Sequence, residues 1–361
     1  IMKIKLILIQ LFCSSIMFSQ GVLWDESSDS ILTSLFPERT ENSRSVIDLP
    51  PSYSLEKYCP ISDVNKQYGL MCVAYSLATA RTILYAKNKS LTDKREISHQ
   101  SFSPYYIYYN TKSEGDTDCN LGLYPKEALK FVALNGFAQL SMVEYQLYHP
   151  YTDQILCATE EGSRYYPPNI SSDEKNAEDF KIDAITKVTN ISDIKRELSS
   201  GSPVFCIVDF PNSWSISGES KSDYWDSKTK YRCGGTTTRN ERCKNPTTNN
   251  CGACNYHKDQ FKVCGGSHAM LIVGYDDKEY GGSFRIFNSY GKEWGENGFM
   301  WIKYEELLYN NDLGFIGLSL TKNKENSSRS IVNKQENSSK INFFEDDQKF
   351  DPESPWESPW E

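Results

Sequence analysis

The chain lacks three features that would otherwise decide its class. It has no excess of basic residues: 39 Lys and Arg stand against 48 Asp and Glu, for a formal net charge of -9. Nothing supplies the clustered cations that counterion release on a phosphate backbone requires, so nucleic acid is not expected as a partner. It also has no apolar run of the roughly 20 residues that a bilayer span needs. Finally, the core-forming pattern stops near Thr321. From there the sequence repeats Glu-Asn-Ser-Ser (325–328, 336–339) and Ser-Pro-Trp-Glu (354–357, 358–361). Low complexity of this kind predicts a disordered tail over 321–361. The tail is either simply solvated or a sorting or surface-attachment signal, for which Trp356 and Trp360 are the hint.

What remains suffices for an enzyme. The 361 residues are 39% hydrophobic and 13% aromatic, enough for one large core or two smaller ones. At the N-terminus Lys3 and Lys5 precede an apolar stretch, Leu6 to Phe18, that ends in small and polar residues. This predicts a signal peptide over 1–20, and with it a secreted, periplasmic or cell-surface protein with no membrane span after cleavage. Cys13 follows Leu11 and Phe12 rather than small residues, which excludes a lipoprotein. Residues 21–50 are polar and rich in Ser and Pro and read as a lead-in or short pro-segment, a character that persists to about residue 58. The chain holds 11 cysteines. In an exported protein these predict disulfides. With Cys13 lost in the leader and one thiol kept for catalysis, an odd number is left, so at least one more stays unpaired. Cys206, inside the apolar run Val204 to Val208, is the candidate for a buried inert thiol.

From Val73 the pattern turns helical, with Val73, Leu77, Ala80 and Leu84 on one face and Gly69 permitting the turn before it. Cys72 then sits at a helix N-terminus. A second helix is predicted over Pro125 to Leu134, stopped by Asn135-Gly136. A third runs from about Ile191 to Ser199, with capping oxygens from Ser192 and Asp193 and Gly201 at its end. Strands follow at Val204 to Phe210, Ala269 to Val273, Phe284 to Asn288 and Phe299 to Lys303. A helical half thus precedes a β half.

A thiol needs help to ionise at neutral pH, and a helix N-terminus with a nearby imidazole supplies it. Cys72 meets the first condition. His268 follows Gly265-Gly266-Ser267 at a strand start, and Asn288 closes the next strand. Antiparallel pairing of the two strands through an Asp276 to Gly282 turn would bring the amide oxygen of Asn288 to the imidazole. Cys72, His268 and Asn288 are the one Cys/His/Asn set whose order suits nucleophilic catalysis. Taken singly, each has a plainer reading, as a half-cystine, a satisfied histidine or a turn asparagine.

Three blocks carry a resemblance. Gln67-Tyr-Gly-Leu-Met-Cys72-Val-Ala-Tyr, Gly266-Ser-His268-Ala-Met-Leu-Ile-Val-Gly-Tyr275 and Asn288-Ser-Tyr-Gly-Lys-Glu-Trp294-Gly-Glu-Asn-Gly-Phe-Met-Trp-Ile resemble, in order, the catalytic blocks of the papain-like (C1) cysteine peptidases. Ser103-Pro104-Tyr105 and Gly201-Ser-Pro203-Val are similar to two further family segments, and the likeness spans about residues 50–320. It implies an α+β papain-like two-domain fold over 51–320, a helical left domain and a β-barrel-like right domain with the active-site cleft between them. It also implies a cysteine-type peptidase that acts on peptides or proteins through an acyl-enzyme, without metal or organic cofactor, as a monomer. By the same resemblance Cys72 is the nucleophile, His268 the general base and acid, Asn288 the orienting residue, and Trp294 the shield of the His/Asn pair. The family's oxyanion Gln falls at Lys66, one residue before Gln67. A loop shortened by one residue assigns that role to Gln67, because a lysine there would compete for the thiolate. The chain departs from the family at Val73 and Tyr290, where the family has tryptophan, in lacking a Cys just before Cys72, and in lacking a long helical pro-segment.

A cysteine-rich insertion over 212–264 carries Cys233, Cys243, Cys251, Cys254 and Cys264. Cys251-x2-Cys254 followed by Cys264-x3-His268 is a zinc-like spacing and the rival use of His268. Disulfides, a metal held without His268 and completed by His257 and Cys233, and unpaired thiols all remain open. Two rivals to hydrolysis also remain open: transglutaminase-like acyl transfer by the same three residues, and an inactive surface-binding homologue.

Overall fold

The computed structural model describes residue 22 and residues 49–67, 69–116, 119–142, 177–182, 184–188, 190–211, 222–225, 231–233, 235–239, 241, 243–247, 254–257, 265–309 and 315–319. The expected leader, most of the lead-in and the expected tail lie outside these residues.

The helical half comes first. Helix α1 (Cys72–Asn88) is followed by α2 (Lys94–His99), α3 (Pro104–Thr111) and α4 (Pro125–Asn135). Helix α1 is not amphipathic as the apolar stripe suggested. It is buried on nearly all sides, Cys72 to Leu84 without a break, as befits a helix that runs through the centre of a core. Its one charged core residue, Arg81, is 1% exposed. The guanidinium is accommodated because Nε donates to the Phe180 carbonyl at 3.1 Å and the group lies over Phe102 and Phe180. Helix α3 starts at Ser103, whose hydroxyl accepts from the Tyr106 N–H, with Pro104 in the first turn. Helix α4 ends where Asn135-Gly136 predicts, with Gly136 at φ 84°.

Among the described residues the β half is one eight-stranded sheet with a two-stranded ladder beside it in sequence. Its strands are β1 (Ser52–Ser54), β2 (Ala184–Val188), β3 (Val204–Pro211) and β4 (Tyr224–Trp225), with β5 (Tyr231–Arg232) and β6 (Pro246–Thr247) forming a separate small ladder. Strands β7 (Gly265–Asp276), β8 (Ser283–Phe287), β9 (Phe299–Lys303) and β10 (Phe315–Ser319) complete it. The order is β2-β10-β3-β7-β8-β9-β4, with β1 also pairing β7. Residues 52–54 therefore belong to the sheet, and the lead-in character read as far as residue 58 ends earlier. Helix α5 (Ile191–Ser200) packs on β7 and β1, and α6 (Tyr304–Tyr309) follows β9. Helix α5 is capped by Asn190, whose side chain accepts from the Asp193 N–H, rather than by Ser192 or Asp193. An extended residue just outside the helix can aim its oxygen back at the first turn, whereas residues inside the helix cannot. Gly201 ends it in the left-handed region.

Strand β7 is the middle strand of the sheet order. It pairs antiparallel with β3 on one side and β8 on the other, and α1 packs against it. Its residues Ala269 to Val273 are all 0% exposed. A strand covered on both faces carries apolar residues at successive positions instead of alternating them. Among the described residues no helix is long and apolar enough to cross a membrane.

Candidate active site

Cys72 is the first residue of α1. The turn before it depends on Gly69, at φ 51°, because a Cβ there would lie 2.6 Å from the carbonyl oxygen of Cys119. That same carbonyl accepts the Leu70 N–H at 2.9 Å, so the approach to Cys72 rests on one peptide group. Cys119 itself is disulfide-bonded. First-turn amides of an α-helix have no intrahelical acceptor and favour an anion beside them. Cys72 lies in that field, carries a thiol rather than a disulfide, and is 0% exposed.

His268 lies in β7 and Asn288 directly follows β8. The register Leu271↔Phe287 and Asp276↔Ser283 folds one strand back on the other. The result is a 2.8 Å bond between His268 Nε2 and Asn288 Oδ1. A carbonyl oxygen only accepts, so Nε2 carries the proton and the neutral ring keeps its lone pair on Nδ1. The amide of Asn288 is itself fixed: Oδ1 also accepts the Ser289 N–H at 2.8 Å, and the Asn288 N–H donates to the Gly298 carbonyl at 3.0 Å. The Asn288 carbonyl accepts from Asn65 Nδ2 at 3.3 Å, and Asn65 Oδ1 takes the hydroxyl of Thr79 on α1. Helix and sheet are thus tied together beside the site.

The sulfur and the imidazole come from these two halves. The main-chain N–H of Ala269, next to His268, donates to Cys72 Sγ at 3.5 Å. His268 is 0% exposed, and burial pushes its imidazole down to about 4, against the opposing pull of the Asn288 bond.

Sequence reasoning put Trp294 over the His/Asn pair. The ring that lies against His268 is instead Tyr290, with centroids 5.0 Å apart and planes at 35°. Trp294 stands behind it, edge-on to Tyr290 at 6.1 Å, and is buried. Tyr290 was legible only as a tryptophan replacement two residues after Asn288. That spacing puts it on the loop that leaves Asn288, where its ring meets the imidazole.

Gln67 and Lys66 separate clearly. The Gln67 side chain is held from both sides: Oε1 accepts the Ser289 hydroxyl at 2.6 Å and Nε2 donates to the Gly69 carbonyl at 2.8 Å. The Gln67 N–H donates to the Ser289 carbonyl at 2.7 Å. The amide therefore spans the segments that carry Cys72 and Asn288. Lys66 is exposed, and its methylenes lie by Gly291 instead.

Cys206 is buried, and its thiol reaches the Met270 carbonyl at 3.6 Å. Burial pushes its pKa up to about 12, which makes it inert. In the insertion, Cys251 and Cys264 lie outside the described residues. The zinc-like set ending in His268 therefore falls partly outside the described residues, and His268 itself bonds Asn288 through Nε2. A different group converges there: Cys233, Cys243, Cys254 and His257.

The sequence profile described as the papain family cysteine protease matches residues 244–312, the stretch that holds His268, Asn288, Tyr290 and Trp294. Among solved structures the chain is similar to xylellain, a cysteine protease from Xylella fastidiosa. That match has 22% identity over 85% of this chain and 97% of the other, with a TM-score of 0.58. It is also similar to a digestive procathepsin L2 proteinase from Tenebrio molitor larval midgut, at 15% identity over 84% of this chain and 79% of the other, with a TM-score of 0.50. A search of curated proteins finds no match. The solved structures share the papain-like fold with this chain, and the profile match falls within the part of it that runs from β6 to the residues after α6.

Proposed function

We propose that Cys72, His268 and Asn288 are the catalytic residues of a cysteine peptidase that works through an acyl-enzyme. Support comes from one arrangement: His268 is bonded to Asn288 on one side, while the amide beside it touches the Cys72 sulfur at a helix start. His268 Nδ1 takes the thiol proton, and the thiolate attacks the peptide carbonyl carbon. The tetrahedral adduct collapses as imidazolium returns that proton to the leaving amine, leaving a thioester on Cys72. Water, deprotonated by His268, then attacks the thioester carbon, releases the carboxylic acid and restores the thiol. Asn288 keeps the ring in the tautomer that can accept, and Tyr290 keeps water off their bond. The oxyanion in each half-reaction is taken by the main-chain N–H of Cys72 and by the second amide proton of Gln67, since the first is used by Gly69.

The burial of both Cys72 and His268 favours a neutral pair at rest, because separating charge in a desolvated site is costly. Export through the 1–20 leader belongs to the same reading. The test is an epoxysuccinyl thiol reagent, which should alkylate Cys72 and abolish peptide cleavage. Labelling at an unchanged rate in a His268→Ala variant would show that the imidazole does not activate the sulfur.

A further inference from the structure

We propose that Cys233, Cys243, Cys254 and His257 form a structural zinc site that ties down the insertion preceding the His268 strand. The four ligand atoms lie within 4.8 Å of one another. Cys243 Sγ and Cys254 Sγ are 3.9 Å apart, and His257 Nδ1 is 3.3 Å from Cys254 Sγ and 3.6 Å from Cys233 Sγ. A zinc tetrahedron with Zn–S near ~2.3 Å and Zn–N near ~2.0 Å has sulfur–sulfur edges of about 3.8 Å and sulfur–nitrogen edges of about 3.5 Å. These three edges lie within about 0.2 Å of those figures, and the remaining pairs are within 4.8 Å. They do not match a disulfide, whose sulfurs are about 2.05 Å apart and which gives a ring nitrogen no part to play.

The surroundings also suit bound thiolates. The Gly235 and Cys254 N–H groups donate to Cys233 Sγ at 3.3 and 3.2 Å, and the Asn245 N–H donates to Cys243 Sγ at 3.4 Å. Asn245 Nδ2 approaches Cys254 Sγ at 3.7 Å. A thiol is a weak acceptor, whereas three thiolates around one divalent ion leave a net negative charge that such donors offset. Sulfur-rich sites with one imidazole select zinc over hard cations, and four protein ligands with no open position make the site structural.

Folding gives a second, independent reason. The hairpin that carries Cys233 and Cys243 is held by Cys233 N–H to Asn245 carbonyl and Cys243 N–H to Gly235 carbonyl bonds, each 2.8 Å. Among the described residues its buried cluster is the three cysteines alone, apart from the main core. Tyr256, in the turn between Cys254 and His257, is 85% exposed. A lobe whose described buried cluster is three cysteines gains little from apolar burial there, and these four side chains can supply a staple. The ion would anchor the chain at His257, shortly before β7 starts at Gly265.

The test uses the full chain as a Cys72→Ala variant, so that the catalytic thiol cannot compete for metal, purified reduced and without chelator. Native mass spectrometry and elemental analysis should give one zinc per chain. Exchange with cobalt(II) should give the thiolate charge-transfer band and intense d–d bands of a tetrahedral thiolate site. His257→Ala and Cys243→Ser, each made in that background, should weaken zinc binding by at least about a hundredfold. The proposal is overturned by a metal-free protein whose mass shows these cysteines oxidised in pairs. Stoichiometric zinc in a His257→Ala, Cys243→Ser double variant overturns it too. If the ligand variants do not fold, the cobalt spectrum of the parent decides alone, and a spectrum without thiolate charge transfer rejects the site.

Discussion

The main-chain N–H of Ala269 donates to the sulfur of Cys72 at 3.5 Å, so a residue of the helical half is registered against the strand that carries His268. A hydrogen bond to sulfur is weak, but it fixes position, and position is what proton transfer needs. A Cys72→Ser variant changes one atom and keeps the packing of a buried site. It should retain its melting temperature within a few degrees while kcat/KM falls by at least about a thousandfold, since a hydroxyl is not activated by this pair as a thiol is. Hydrolysis of a fluorogenic peptide, read beside thermal unfolding, checks this. Undiminished turnover would move the nucleophile elsewhere.

Gln67 is clamped between Ser289 and Gly69, whereas Lys66 is exposed. Loss of an oxyanion donor acts on the transition state, so Gln67→Ala should lower kcat by roughly a hundred- to a thousandfold with little change in KM. Lys66→Ala should alter kcat less than about threefold, the range of an exposed substitution. Steady-state kinetics on both variants decides between the neighbours. The reverse ranking would restore Lys66 to the position suggested by the family spacing.

Much of this was readable in the chain because it is local. A turn at φ 51° that calls for Gly69, a Ser-Pro helix start and the Asn-Gly and Gly201 stops are written in short segments. The His268 and Asn288 strands were legible because a tight turn joins them, although a bulge between Ile272 and Gly274 shifts their register on the way to the site. Three things were not. The burial of α1 on all sides depends on what the sheet and α3 bring to it, so Arg81 could not be foreseen as a core residue. The contact of Tyr290 with His268 depends on the path of the loop after Asn288. That Cys243 joins Cys233, Cys254 and His257 depends on a hairpin; the sequence left open a metal completed by His257 and Cys233 but did not single out Cys243.

Burial holds the His268 imidazole down at about 4, below its ordinary value of 6.5. The unfolded chain then binds more protons than the native one between these limits, so stability rises with pH across that window and is lost as pH falls through it. The full effect is up to roughly 3 kcal/mol. It should be clearest in Cys72→Ala, where no thiolate can compensate an imidazolium. Denaturant melts of Cys72→Ala between pH 7 and roughly pH 4 should show a slope that His268→Gln in the same background removes. Equal slopes in the two would place the acid sensitivity on other groups.

Asn65 joins the Thr79 hydroxyl of α1 to the main-chain carbonyl of Asn288, and both Asn65 and Thr79 are buried. Asn65→Ala would strand a hydroxyl and weaken the hold on the Asn288 peptide, each away from water. The cost should be about 1 to 3 kcal/mol, seen as a melting point lower by several degrees. Thr79→Val removes the partner hydroxyl with little change of volume, so once Asn65 is gone it should cost less than it does alone. A double-mutant cycle should therefore give a coupling above about 0.5 kcal/mol. Because the same contact steadies the residue that orients His268, Asn65→Ala should also lower kcat while leaving KM nearly unchanged. Strict additivity in the cycle with an unaltered kcat would reduce the Asn65 bridge to ordinary packing.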